Sequence, residues 1–337
     1  MHTSRGKVAL ITCLLFAGVS SFSANAVAKV PKNQNPIESI SELPKRYKDI
    51  KFLAWKQMKT NSQKQVRNPM PIKVLISPSV TNCSNEAIAV IRGIEGIYRK
   101  TNLPKSLTII FADGEIDREW LTDRTSELLD MKYRSFQGDI EINPETVNGK
   151  GDGVLWAMDA CRDKGKLSTE ERIEIAHGFT HVIQTMQFTR RDSDWGLWGE
   201  VPRWMLEGGA TLTHNFWKNR KNYDTYFKNS ENLYGLSKYP KDFFEKFLKV
   251  DKTFRPLWSY TDQWDNQRAY DVGAFVCESL VAFKGPESII NLYSAYLSIG
   301  DFDRAFEEIY GMTWTDAHPY IYETIYKQIK WSSSVMR

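Results

Sequence analysis

Cysteine and histidine are scarce in this chain of 337 residues, which has four of the first and five of the second. So few cysteines exclude a scaffold built mainly from disulfides. An excess of one charge is also missing. Lysine and arginine total 45 against 41 acids, and setting aside residues 1–26 removes Arg5 and Lys7 but no acid, leaving 43 against 41. Such a balance gives no reason to expect nucleic acid as a partner. After the N-terminal stretch no segment approaches the ~20 apolar residues that a membrane helix needs, and no internal repeat is evident.

What is present begins with an export signature. Met1 to Lys7 is short and basic, Val8 to Val19 is apolar, and Ala24-Asn25-Ala26 offers a small-x-small cleavage site. Residues 1–26 therefore read as a secretory signal peptide cleaved after Ala26, with Ala28 as the alternative. The flanks of Cys13 do not form a lipid-attachment box, so the expected product is secreted or periplasmic. In an oxidising compartment the three remaining cysteines suggest one bridge and one thiol. Cys83 and Cys161 lie in polar, loop-like surroundings and form the expected bridge; Cys277 sits on an apolar helix and reads as a buried small hydrophobe.

Residues 27–66 are polar, with Pro31, Pro36, Pro44 and the run from Lys56 to Lys64, and read as an N-terminal arm with one short helix near 45–58. Residues 67–167 alternate strand and helix: strands at 72–77 and 107–112, a helix at 86–98, and an edge strand at 136–143. From 168 to 337 the signals are almost wholly helical, at 169–188, 201–219, 266–284, 286–297 and 301–330. The expected class is α+β, with a small mixed sheet and helices in the N-terminal half and a mainly helical C-terminal half.

Two histidines, His177 and His181, stand four apart inside the helix at 169–188, so both imidazoles leave the same face and can reach one metal. The helix is well specified: Ser168-Thr169-Glu170-Glu171 has the capping-box pattern and precedes an apolar rhythm through Ile173, Ala176, Val182, Ile183 and Met186. A second helix start follows at Val201-Pro202-Arg203-Trp204-Met205-Leu206-Glu207-Gly208, with one carboxylate inside an apolar run. Glu207, with 25 residues between it and His181, is the natural third ligand.

With His177, His181 and the Trp204-Met205-Leu206-Glu207-Gly208 block, the chain resembles the gluzincin superfamily of zincin-like metallopeptidases. Tyr270-Asp271-Val272-Gly273, followed by Lys284-Gly285-Pro286-Glu287, is similar to the tyrosine-x-x-glycine helix of the zinc aminopeptidase branch. The resemblance covers residues 168 to 325. It implies a zincin domain with the metal cleft between its halves, and zinc held by His177, His181 and Glu207. Tyr270 is then the donor to a developing oxyanion.

The chain departs from that pattern where the chemistry is done. The His-Glu-x-x-His motif places its general base directly after the first histidine, and Gly178, which cannot accept a proton, stands there. The strand by which aminopeptidases hold a free amino terminus has no counterpart either, so aminopeptidase specificity is not expected. Glu174, one turn before His177, is a candidate substitute base or a partner of the ligands; the alternative is a solvated helix residue. His214, two turns beyond Glu207, reads as an added ligand, a group orienting one, or a histidine bonded to backbone. His318 reads as structural. Trp195, Trp198, Trp204, Trp217, Trp258, Tyr260 and Trp264 crowd these regions and either line a groove for peptide or sugar or pack the core.

Three functions fit. One is a degenerate gluzincin that binds zinc and a peptide or protein partner with weak or no peptidase activity. Another is an active zinc peptidase using Glu174 as base and Tyr270 as oxyanion donor. The third is a metal-free structural or carbohydrate-binding protein of the envelope, where a polysaccharide would be the partner.

Overall fold

A computed structural model describes residues 30–31, 33–129, 144–147, 152–158, 160–161, 165–187, 201–228, 236–251 and 263–335. The expected signal peptide and the edge strand at 136–143 lie outside the described residues. Four strands, β1 (Ile72–Ile76), β2 (Ser106–Ala112), β3 (Pro144–Val147) and β4 (Asp152–Met158), form one sheet in the order β1-β2-β4-β3. The first three of that order are mutually parallel, and β3 runs antiparallel along β4. The class is mixed α/β and mostly helical.

β2 is an inner strand and reads accordingly, as a run buried from Leu107 to Ala112 that is apolar except for Thr108. Its side chains alternate between two cores. Leu107, Ile109 and Phe111 join the large one, whereas Ile110 and Ala112 meet Val154 of β4 and Leu121 of α3 (Arg118–Leu129) on the other face. β4 shows almost no strand signal, because Gly153 breaks the alternation and alanine, leucine and methionine favour helix. Gly153 is there for proximity. A Cβ at that position would stand 2.6 Å from Cγ1 of Val182, on the helix packed beneath the sheet.

That helix is α4 (Thr169–Thr185), and its start matches the expected capping box: Ser168 Oγ accepts from the Glu171 amide, and Glu171 Oε2 accepts from the Ser168 amide. Glu171 also accepts from the Cys161 amide at 2.8 Å. Cys161 is bridged to Cys83, which caps α2 (Ser84–Ile97). Glu86 in the first turn of α2 accepts from Arg172 of α4 and from the Leu167 amide. The N-terminal turns of α2 and α4 are thus tied together, one covalent bond and two carboxylates holding α4 in place. Cys277 is buried and free, as expected.

The short helix expected near 45–58 is present as α1 (Ile50–Ser62), and its surroundings are apolar. Residues from Ile37 onward belong to the large core, and α1 buries Ile50, Leu53, Ala54 and Met58. Its side chains also bond across the fold: Gln57 donates to the Ala282 carbonyl at 3.0 Å and Asn61 to Glu287 at 3.3 Å. The lysines that made the segment look solvated lie across aromatic faces, Lys59 at 4.4 Å from the Trp55 ring centroid and Lys56 at 5.9 Å from Phe52. One core cluster takes residues from all parts of the chain, so the apolar interior does not divide at 167.

The remaining helices are α5 (Arg203–Asn219), α6 (Tyr223–Lys228), α7 (Lys241–Asp251), α8 (Gln263–Lys284), α9 (Glu287–Ile299), α10 (Phe302–Tyr310) and α11 (Trp314–Val335). The single helix expected at 301–330 is two, because Gly311 adopts φ 78° and closes α10 in the left-handed conformation. No described helix is long and apolar enough to cross a membrane.

The contact that sets the helical half is between α5 and α8. A Cβ on Gly208 would stand 2.2 Å from the Gly273 carbonyl carbon, and one on Gly273 would stand 2.4 Å from the Trp204 carbonyl oxygen. Backbone lies against backbone there, which only glycine permits. Gly208→Ala and Gly273→Ala should each cost about 2 kcal/mol or more in denaturant unfolding, as overpacking against rigid backbone does. Replacing Cys83 and Cys161 together by serine should cost about 2–5 kcal/mol in the same assay, since the bridge closes a separation of 78 residues.

Candidate metal centre

α4 and α5 pack as an antiparallel pair, with Gln184 near the end of α4 donating to the Leu206 carbonyl near the start of α5 at 2.9 Å. This pairing brings the expected ligands together. His177 Nε2 and His181 Nε2 are 3.0 Å apart, and Glu207 Oε2 lies 3.6 Å from the first and 3.4 Å from the second. These three distances surround the edge of ~3.4 Å that a tetrahedron of ligands about 2.0–2.1 Å from a zinc-like ion would have. The three side chains form a group close enough to hold a metal ion, and His181 and Glu207 are buried.

Two of the three ligands have a neighbour that orients them. His181 Nδ1 lies 2.7 Å from Gln184 Oε1. Because the Gln184 amide donates its own hydrogen to Leu206, its oxygen must accept, so His181 carries its proton on Nδ1 and presents Nε2 as a lone pair. Arg203, one turn before Glu207, stands 3.7 Å from Oε1 and leaves Oε2 toward the imidazoles. That Oε2 is buried without a hydrogen-bond partner among the described residues. An ionised oxygen in that position is expensive unless a cation completes it.

The charge states suit the same task. Burial pushes the Glu207 carboxyl up, but the adjoining His177 and His181 outweigh it and hold the acid far below its usual range. Burial lowers the His177 imidazole, against an opposing pull from Glu207, so it is neutral at neutral pH. A neutral His177 imidazole and an ionised Glu207 are what a divalent cation requires of nitrogen and oxygen ligands.

Tyr270 of α8 also arrives. Its ring stacks on His177 with centroids 6.0 Å apart and planes 12° from parallel, and the Arg203 guanidinium lies 6.0 Å from its centroid. Burial and the Glu207 carboxylate raise the phenol well above its ordinary value, so it remains a proton donor. His214 meets His177 edge to face at 6.0 Å. A cavity of about 280 Å³ opens beside these groups and is lined by His177, His214, Tyr270 and Glu174 together with Lys51 of α1 and Glu278 of α8. Glu174 is exposed, and Gly178 is buried within α4.

Comparison with protein-family models, curated proteins and solved structures finds no match for this chain. The site therefore stands on its own geometry.

Three contributors escaped the sequence. Gln184 and Arg203 stand three residues after His181 and four before Glu207, spacings that share a helix face and are the signal that would have found them. Lys51 was hidden in the segment taken for an arm. Of the aromatic residues, Trp204 is buried and stacked on Trp314 at 5.0 Å, and Trp217 is buried too, so packing is the correct reading for both. Trp195, Trp198, Trp258 and Tyr260 lie outside the described residues, as does the side chain of Trp264. His318 is structural, with Nε2 3.1 Å from the Glu245 carbonyl.

Elemental analysis of the purified protein should find about one equivalent of metal per chain, falling to background in Glu207→Gln. Gln184→Leu should retain the fold and weaken metal affinity by about 10- to 100-fold in chelator competition, as loss of a group that orients a ligand does.

Proposed function

We propose that this chain is an exported, zincin-like protein of gluzincin type that holds zinc through His177, His181 and Glu207 and binds peptide with weak or no cleavage. The observation that carries the proposal is the meeting of those three ligand atoms beside Tyr270, with glycine at the position of the missing base. The antiparallel edge strand β3 supports it, because it packs against α4 and offers an extended strand edge on the element that carries the two histidines. Bound zinc would supply Lewis acidity to a carbonyl oxygen.

The side chains of the protein divide the remaining work. Tyr270, kept protonated, can donate to an oxygen that gains negative charge. Gln184 and Arg203 hold the ligands in position. Gly178, at the position of the missing glutamate, takes no proton, and such acid-base help typically contributes ~10²- to 10⁴-fold in rate. Binding outlasts efficient hydrolysis in this arrangement.

One observation favours the active alternative. Glu174 and His177 line the same cavity, so a carboxylate is within the space a substrate would occupy. If Glu174 were the base, zinc-dependent cleavage of a peptide library would vanish in Glu174→Gln. The proposal expects instead that the native protein shows little cleavage and that Gly178→Glu raises it by about tenfold or more, read by mass spectrometry of the same library. A fully metallated Gly178→Glu variant with no gain would count against a peptidase-like site. A protein without metal, unchanged in melting temperature when zinc is added, would rule out both metal readings.

A further inference from the structure

At the far end of the α4–α5 pair lies a second cavity, of about 220 Å³, between the first turns of α4, the end of α5 and the start of α6. It begins ten residues along α5 from Glu207, about 15 Å at the helical rise of 1.5 Å per residue. Its charged lining among the described residues consists of Arg172, Lys218, Arg220 and Lys221, with no acid. In a chain with 45 cations against 41 acids, four cations around one hollow are a local arrangement.

Helix electrostatics explain only part of it. Lys218 and Arg220 sit at the end of α5, where cations are favoured. Arg172 does not fit that account, since it stands in the first turns of α4, at the positive end of the helix dipole. It is held by Glu86 at 2.5 Å. Arg220 is fixed as well: its guanidinium donates to the Trp217 carbonyl at 2.7 Å and lies 3.9 Å from the Trp217 ring centroid. Burial and the nearby charge of Arg172 both disfavour the charged form of Arg220. An anion between the two would relieve that repulsion.

The floor points the same way. Trp217 lines the hollow and is only 6 % exposed, its ring packed on Gly93 of α2, so the aromatic face that holds Arg220 is itself fixed. A hollow whose charged lining groups among the described residues are all donors calls for acceptor oxygens. A planar guanidinium held by an aromatic face suits an oxyanion particularly well.

We propose that this cavity binds a tetrahedral oxyanion, a phosphate or sulfate group, with Arg220 and Lys221 as its main charge contacts and Trp217 fixing the guanidinium. The anion arrives either free or carried on a polymer. This inference is independent of the metal reading, because the residues involved belong to neither the ligand group nor its cavity.

Calorimetric titration of the folded protein with inorganic phosphate, pyrophosphate, sulfate and a heparin hexasaccharide tests it. Saturable binding is expected, at millimolar affinity or tighter, weakening with salt. Arg220→Gln should weaken it by about tenfold and Lys221→Gln by about threefold, with melting temperature checked for both. Tighter binding of the hexasaccharide than of the small anions would identify a polymer-borne group, and the reverse a free anion. Absence of saturable binding would overturn the proposal. So would binding unchanged in both variants, or binding that disappears on chelation and in Glu207→Gln instead, which would place the anion at the metal.

Discussion

The helical half depends on one contact, the close crossing of α5 and α8 at Gly208 and Gly273. Helices carrying ordinary side chains pack 8–10 Å apart; here backbone atoms of one helix occupy the space where the other would have a Cβ. Glu207 is the neighbour of Gly208, and Tyr270 lies three residues, nearly one turn, before Gly273. The crossing therefore sets how far the carboxylate stands from the phenol. A second close approach, Gly153 of β4 against Val182, sets how deep α4 lies beneath the sheet, and with it the two histidines. Four chemically important side chains owe their mutual position to residues that have no side chain.

The second constraint is the cost of what those contacts bury. A carboxylate and two imidazoles inside an apolar core lose hydration, and replacing such a cluster by hydrophobic residues is often neutral or stabilising. Here Gln184 orients His181 and Arg203 stands beside Glu207, yet Glu207 Oε2 has no hydrogen-bond partner among the described residues, only the imidazole nitrogens at 3.4 and 3.6 Å. A polar network built only for stability would be satisfied. The nearby group formed by Tyr226, Glu278 and Gln328 illustrates this: both carboxylate oxygens accept, from Tyr226 at 2.7 Å and from Gln328 at 3.3 Å. The contrast between a closed network and an open one within the same interior favours a metal at His177, His181 and Glu207 over a metal-free core.

The metal group was legible because its signals are short-range. A capping box, two histidines at one helical turn and a carboxylate flanked by glycine can be read within a few residues, and the helices carrying them start within two or three residues of expectation. What failed was long-range. α1 read as a short helix within a polar arm, not as core, because its lysines mask an apolar stripe, and their placement over Trp55 and Phe52 depends on the folded structure. β4 was missed because Gly153 answers to Val182, which is distant in sequence. Gln184 and Arg203 look like ordinary helix-surface residues until α4 and α5 are paired. The Cys83–Cys161 bridge could be expected from surroundings alone, but its role in tying α2 to the start of α4 could not.

Gly178 gains meaning from this setting. A glycine inside a helix costs about 1 kcal/mol relative to alanine, and it lies in a helix otherwise secured by a capping box, a disulfide-linked neighbour and the Arg172–Glu86 pair. The surrounding support therefore carries its cost locally, without disturbing the spacing of His177 and His181. Ligand geometry and proton transfer are separable here. The first depends on helix crossings and on partners that this chain has in full; the second depends on a single side chain that it lacks. A site of that kind keeps its capacity to hold a metal, and to present a polarising centre beside a neutral phenol, after the capacity to activate a nucleophile is gone. The proposed function rests on that asymmetry, in which the ligand group is complete and the base is not.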